Sequence, residues 1–397
     1  MFKEDFPILS DQKVVYLDSA ASAQKPADVL SAMDDFYRTT YANVHRGQYT
    51  LAGEATTRYE QARKGVADFI GAKPENIVFT RGATDSINLV SDGYARLLKA
   101  GDEVLISISE HHANFVPWQQ VCQRTGATFK VFGLLPDGQW DLDDFRAKLS
   151  DRTKLVAVTQ LSNVLGIVNP VKSVIEDAHR VGARVLVDGA QGIAHMPVDV
   201  TDLGCDYYVF SGHKIYGPTG IGVLYGRPEA LEALPPVRFG GDMIRTVSVE
   251  KTTFADIPAR FEAGTPPIAE AVGLAAALKY VSRIGMPRIQ DHETELTRYM
   301  TDRLGEISEI EWMGSCLNKQ GLAAFNIRGI HPADIAFVLA KENVCVRVGH
   351  HCAMPLHHAM GVQVSLRASV GLYNDRSDID RLIQGLNKAI HLLGEGL

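Results

Sequence analysis

Through the first two thirds of the chain, short apolar runs alternate with longer stretches in which apolar residues recur every three or four positions. The runs at 104–108 (VLISI), 155–159 (LVAVT), 185–187 (VLV), 207–210 (YYVF) and 221–225 (IGVLY) are rich in Val and Ile. Bounded by Gly, Asp or Asn, they read as buried strands. Between 159 and 185, VKSVIEDAHRVGAR spaces Val174, Ile175, Ala178 and Val181 as one helical face. Strand, helix, strand in that order predicts a βαβ crossover and a mostly parallel sheet covered by helices.

The last third changes character. Shorter, more alternating strands are expected around 321–329, 344–348 and 363–370. A final helix is expected at 376–393, with Ile379, Leu382, Ile383, Leu386 and Ile390 on one face. The fold class is therefore α/β with a smaller α+β C-terminal domain. We divide the chain into an N-terminal segment (1–20) packing with the small domain, a large domain (21–284) and a small domain (285–397).

At 397 residues the chain is long enough for about two to three domains. Hydrophobic residues at 46% and charged residues at 22% place it with ordinary globular proteins rather than disordered or fibrous ones. A net charge of -7 argues for a soluble protein and against general affinity for phosphate backbones, so no nucleic-acid partner is expected. The N-terminal MFKEDFPILSDQKVVYLD mixes charges with apolar residues, unlike a signal peptide, and no apolar stretch is long enough to span a membrane. The five cysteines, Cys122, Cys205, Cys316, Cys345 and Cys352, read as reduced thiols in the cytoplasm.

Polar residues gather at the ends of the expected strands, where ligands of open α/β sheets bind. Asp188 closes VLVD, Asn163 follows LVAVTQ, Glu110 and His111 follow VLISIS, and Ser211, His213 and Lys214 follow YYVF. A partly desolvated Lys214 amine loses its proton near neutral pH and forms an imine with a carbonyl; the plainer alternative is a loop lysine on the surface. Ser211 and His213 beside it suit a phosphate, and Asp188 suits a ring nitrogen that must stay protonated. That combination is the electronic requirement of pyridoxal phosphate.

In FTRGATDSINLV (79–90), Gly82 and Ala83 precede an expected helix whose free N–H groups, with Thr84, suit an anion. Alternatively, Thr84 only caps the helix. His111 is able to stack on a pyridine face and shuttle protons, or is simply a satisfied polar residue, while His112 is expected to pack or cap.

A second chemical segment is RVGHHCAMPLHH (347–358). Cys352 in this Gly/Pro-bounded loop is expected to be accessible, with Arg347 and the histidines favouring its thiolate. The other four cysteines read as inert filler. Histidine pairs raise the rival of a metal site, yet adjacent histidines rarely converge on one ion and no CxxC or HExxH spacing is present, so no metal is expected. Arg367 interrupts the strand VSLRASV, where an inward guanidinium is explained by a bidentate grip on a substrate carboxylate.

YLDSAASAQKP, NVHRG, RGATDSINLV, EHHANFVPW, SNVLG, VDGAQ, FSGHKIYGPTGIG, FEAGTPP and VRVGHHCAMP together resemble the class V aminotransferase family. More narrowly they are similar to its SufS-type (group II) cysteine desulfurases, close relatives of selenocysteine lyases. The resemblance runs in order from about residue 15 to the C-terminus, and the lysine and cysteine motifs together are specific. It implies a fold type I transferase dependent on pyridoxal 5'-phosphate.

By this resemblance Lys214 would hold the cofactor, Asp188 would face its ring nitrogen and Gln191 its phenolic oxygen, with His111 stacked on the ring. Thr84, Ser211 and His213 would bind the phosphate. Thr265 would reach the partner subunit's phosphate, implying a homodimer. Arg367 would bind the substrate carboxylate, helped by His45 and Arg347, with Asn163 beside the substrate. Lys214 would move the Cα proton, His111 would be a further proton carrier, and Cys352 would accept sulfur as a persulfide.

The implied reaction converts L-cysteine to L-alanine and supplies sulfur for iron–sulfur cluster or other cofactor assembly. A SufE- or SufU-type protein would receive it. The alternative is a selenocysteine lyase acting on L-selenocysteine. Asp85 and Val348 depart from the family's frequent Glu and Thr, and both are expected to bear on how the Cys352 loop is held.

Overall fold

The computed structural model describes residues 2–10, 14–315 and 317–394; Cys316, read above as filler, lies outside the described residues. After β1 (Val15–Tyr16), the chain builds a seven-stranded sheet. Its strands are β2 (Ile77–Thr80), β3 (Glu103–Ser107), β4 (Thr128–Phe132), β5 (Thr153–Thr159), β6 (Arg184–Asp188), β7 (Tyr207–Ser211) and β8 (Gly222–Gly226). Their spatial order is β2-β8-β7-β6-β5-β3-β4. From β7 to β4 every pairing is parallel, as the crossover pattern predicts. β8 runs antiparallel to both of its neighbours, which the apolar run at 221–225 by itself did not disclose.

The double-sided burial has a simple origin. Side chains alternate across a strand, and here each face meets a different core. Val156, Val158, Val185, Val187, Tyr208 and Phe210 enter one apolar cluster. Their neighbours Leu155, Ala157, Leu186, Tyr207 and Val209 enter the other, on the opposite face. The helix Val171–Arg180 places Val174, Ile175 and Ala178 in the first cluster, while Val181 forms its C-cap.

A hairpin of β9 (Ile244–Val247) and β10 (Thr252–Phe254), not foreseen from the sequence, follows the large sheet. Gly285, at the expected division between domains, separates the helices Ile268–Ile284 and Met286–Gly305 with a φ of +93°. The C-terminal part has β11 (Ile310–Trp312), β12 (Leu322–Ile327), β13 (Val344–Cys345), β14 (Arg347–Gly349) and β15 (Ser365–Ser369). Four of them form an antiparallel sheet in the order β11-β12-β15-β14.

The single strand expected at 344–348 is thus two. β13 pairs in parallel with β1, and after Val346 the chain changes partner to β15. Val15 and Leu17 join the apolar core under this sheet, with Leu382 and Leu386 of the final helix Arg376–Leu393. An Asp375–Asp378 capping box starts that helix. Among the described residues no helix is long and apolar enough to cross a membrane.

Candidate active site

A cavity of about 180 Å³ opens where β5, β6 and β7 end. Thr159, Asp188 and Ser211, the last residues of those strands, line it, and His111 reaches it from the turn after β3. Ligands collect at this rim because parallel strands all deliver their loops to one edge. Lys214 lies in the turn Gly212–Lys214 directly after β7.

At one end of the cavity the helix Ala83–Tyr94 begins, and its first N–H donates to Ser211 Oγ at 2.8 Å. Only glycine fits at 222 beside this turn, since a Cβ there would lie 2.3 Å from Gly82 Cα. Thr84, exposed in the first helical turn, and His213 complete this end. Burial, with the Lys214 charge beside it, pushes the His213 imidazole down to about 4, so it is neutral. Hydroxyls and helix N–H groups make this the natural place for an anion.

At the opposite wall Asp188 Oδ1 accepts from Ala190 N–H at 2.9 Å. Burial raises its carboxyl above the usual range, and the Lys214 ammonium opposes the rise. The Lys214 amine is itself pushed down to about 8, chiefly by burial, with Arg367 adding repulsion. Gln191 Nε2 donates to Ala20 O at 2.8 Å. His111 Nδ1 accepts from Ala113 N–H at 3.0 Å, which leaves the ring proton on Nε2. Burial and Lys214 lower its pKa to about 3, so the imidazole stays uncharged.

Arg367 closes the third side, buried in the middle of β15. Its Nη1 donates to Asn163 O at 2.9 Å and its Nη2 to Asp18 Oδ1 at 3.1 Å. Its buried Nε has no hydrogen-bond partner. A buried guanidinium N–H without a partner is costly. Arg347 faces Arg367 across the β14–β15 ladder and lines the mouth.

Cys352 is exposed at the same cavity. It and His351 both adopt left-handed backbone, with φ of +57° and +49°. Asn163 Nδ2 donates to His351 O at 2.7 Å, so one asparagine touches both the Arg367 guanidinium and the cysteine loop.

Two expected site residues do not join the cavity within this chain. His45 is exposed, with Nε2 3.0 Å from Glu60 Oε1 in a separate surface pocket shared with Arg63 and Glu262. Thr265 is exposed between Gly264 and Pro266, which line that second pocket. Glu60 on the helix Thr50–Phe69 holds His45 there. Asp85 does not contact the Cys352 loop either. Its carboxylate is gripped by Arg238 and accepts from Arg81 N–H at 3.0 Å. Val348 packs on the small-domain core, directly before the loop.

Sequence reasoning missed Asp18 and the depth of Glu110. Glu110 is fully buried behind His111, where it accepts from Asn114 Nδ2 at 2.7 Å and Thr159 N–H at 3.1 Å. Burial, reinforced by Asp188, pushes it up to about 8. The strand-end position of Glu110 was visible; its isolation from water was not. Cys122 and Cys205 are buried and Cys345 is half-buried. Among the described residues no three His, Cys, Asp or Glu side chains gather as for a metal ion. His351 and His357 instead both turn Nε2 to Ser365.

The lining fits pyridoxal phosphate. An amine of depressed pKa, a buried carboxylate suited to a ring nitrogen and a helix start suited to a phosphate line one cavity. Arg367 is buried among the same lining residues.

The family model for class V aminotransferases matches residues 15–382. A cysteine desulfurase of Dickeya dadantii is 50% identical over 99% of this chain and 97% of its own length. A probable cysteine desulfurase of Halalkalibacterium halodurans is 49% identical over 99% and 98% of the two chains. Among solved structures, the Escherichia coli cysteine desulfurase CsdA superimposes with a TM-score of 0.93 at 41% identity, covering 98% of each chain.

Proposed function

The chain belongs to the class V aminotransferase family, and from that premise we propose how its cavity performs the work of a cysteine desulfurase. It is a pyridoxal-phosphate-dependent enzyme of that type, acting on L-cysteine. The relatives favour cysteine over selenocysteine as substrate. The observation that carries the residue assignment is that Lys214 and Cys352 line one cavity.

Pyridoxal phosphate, when bound, supplies a carbonyl for imine formation and a sink for the electrons of the substrate's Cα–H bond. Lys214 would hold it, Asp188 would keep a proton on its ring nitrogen, and Gln191 and His111 would flank the ring. Thr84, Ser211 and His213 would take its phosphate. Arg367, which lines the cavity, would anchor the substrate carboxylate, with Asn163 and Arg347 beside it.

The Lys214 amine, neutral above about 8, removes the Cα proton. Neutral His111 presents Nε2–H to the reacting groups. Cys352 Sγ then attacks the substrate sulfur. The C–S bond breaks and an S–S bond forms, so L-cysteine and one thiol become L-alanine and one persulfide, with no outside oxidant.

Cys352 sits in a short left-handed loop of residues 285–397, the small domain, which limits how far its persulfide travels. A docking acceptor of the SufE or SufU type is the corollary, feeding iron–sulfur or other sulfur-cofactor assembly. Thr265, exposed and absent from the lining of its own chain's cavity, is assigned to the phosphate of a second copy in a homodimer. A thiol that must return to the reduced state suits a reducing compartment such as the cytoplasm.

Single turnover with L-cysteine and no reductant tests this reading on the parent and Cys352→Ala. Alanine release and intact mass are followed together. One alanine per subunit and one added sulfur atom on the parent alone support it; an adduct on both proteins, or alanine with no adduct, overturns Cys352 as acceptor.

A further inference from the structure

His112 opens the helix His112–Thr125, next to His111 but with different contacts. Its backbone N–H donates to Cys352 O at 2.6 Å. Its imidazole Nε2 accepts from Met354 N–H at 3.0 Å. His112 therefore binds the main chain on both sides of Ala353, directly after Cys352, once as donor and once as acceptor.

That loop needs holding. His351 and Cys352 both sit at positive φ without being glycine, a conformation that persists only where surrounding contacts over-determine it. Asn163 holds the carbonyl before Cys352, and His112 supplies the contacts after it. An acceptor at Nε2 requires an uncharged ring with its proton on Nδ1. Burial and the neighbouring His350 lower the His112 pKa, which keeps the ring in that form.

We propose that His112 is a positioning residue for sulfur transfer: its imidazole clamps the Met354 N–H and so fixes Cys352 Sγ at the cavity mouth. The inference rests on the desulfurase reading above. It separates the two adjacent histidines, with His111 lining the cofactor cavity and His112 serving the loop.

The experiment compares parent, His112→Ala and His112→Gln as holoenzymes. Gln keeps a side-chain oxygen as acceptor. For His112→Ala we expect the cofactor's absorbance and the KM for L-cysteine to stay at parent values. Persulfide formation in single turnover should slow by about 10- to 100-fold, as for a misplaced reacting atom. Alkylation of Cys352 by iodoacetamide should accelerate as the loop loosens, and His112→Gln should recover most of the parent behaviour in both assays.

Parent-like persulfide formation in His112→Ala overturns the clamp. So does an altered cofactor spectrum with unchanged alkylation, which would put His112 with the cofactor. If the parent itself forms no persulfide, the desulfurase reading fails instead, and the two failures are distinguished by that control.

Discussion

Asp18 Oδ1 lies 3.1 Å from Arg367 Nη2, so the guanidinium assigned to the substrate already carries a counter-ion from the N-terminal segment. The contact is reinforced by a backbone bridge from Asp18 to Ser369 on β15. Asp18 offsets part of the cost of burying Arg367, and the guanidinium still has an open donor, since Nη1 and Nη2 each carry a second N–H beyond those given to Asn163 and Asp18. A buried cation is thereby both tolerated and still able to bind.

The first prediction concerns that open donor. Arg367→Lys retains charge but loses the planar fork that reaches Asn163 O, Asp18 and the cavity together. A lost charged hydrogen bond is worth about 1.5–3 kcal/mol, or roughly 10- to 150-fold in kcat/KM for L-cysteine. Steady-state kinetics should show most of it in KM. An unchanged KM would place the carboxylate elsewhere.

The second follows from Lys214. Its amine, lowered to about 8 chiefly by burial, takes a proton only when neutral, so Cα–H cleavage should speed up as pH rises through about 8 and then level off. His111 and His213, lowered to about 3 and about 4, add no inflection there. Loss of deuterium from Cα-labelled L-cysteine reads the step directly. Lys214→Ala should abolish it at every pH.

Gly222→Ala is the third. The added Cβ would meet the Gly82 backbone, with no flexible side chain to yield, and should shift the start of the helix Ala83–Tyr94. Overpacking of this kind costs about 1–3 kcal/mol. We expect weaker cofactor binding in a pyridoxal phosphate titration, together with a lower Tm.

The fourth is a stability test. Buried Glu103 accepts from Lys130 Nζ at 2.7 Å, Ser150 Oγ at 2.6 Å and Arg152 Nη2 at 2.9 Å. Burial would raise its carboxyl, but these partners overcome that and hold it down to about 2, below its ordinary 4.5. The folded pKa being the lower, this stabilisation is present above about pH 4.5 and is lost as pH falls toward 2. Glu103→Gln should cost about 1.5–3 kcal/mol at pH 7 and flatten the acid limb of the denaturant-unfolding profile.

Much of this was legible in the chain because it is local. Alternation along LVAVT and VLV needs only neighbouring residues to declare a doubly buried strand, and the 376–393 periodicity declares the final helix. Lys214, Asp188 and Cys352 stood out because each lies in a short motif whose residue types suit one chemistry. The strand-end rule then places Lys214 and Asp188 on a common rim without any knowledge of distance, whereas Cys352 follows β14 of the other sheet and falls outside that rule.

What the tertiary structure alone decided are the long-range pairings, for which a one-dimensional pattern holds no geometry. β8 reads as one more apolar run, yet its direction depends on which edges it joins. The run at 344–348 looks continuous, but it exchanges β1 for β15 as partner midway. His45 has a binding residue's chemistry and spends it on Glu60. Asp18 and Arg367, 349 residues apart, meet only because β1, β13 and β15 are assembled together. Most of the elements and the candidate reacting groups were already readable along the chain, since propensity, periodicity and side-chain chemistry act over a few residues. Which group faces which was left to the packing, where burial and hydrogen-bond satisfaction act across the whole chain.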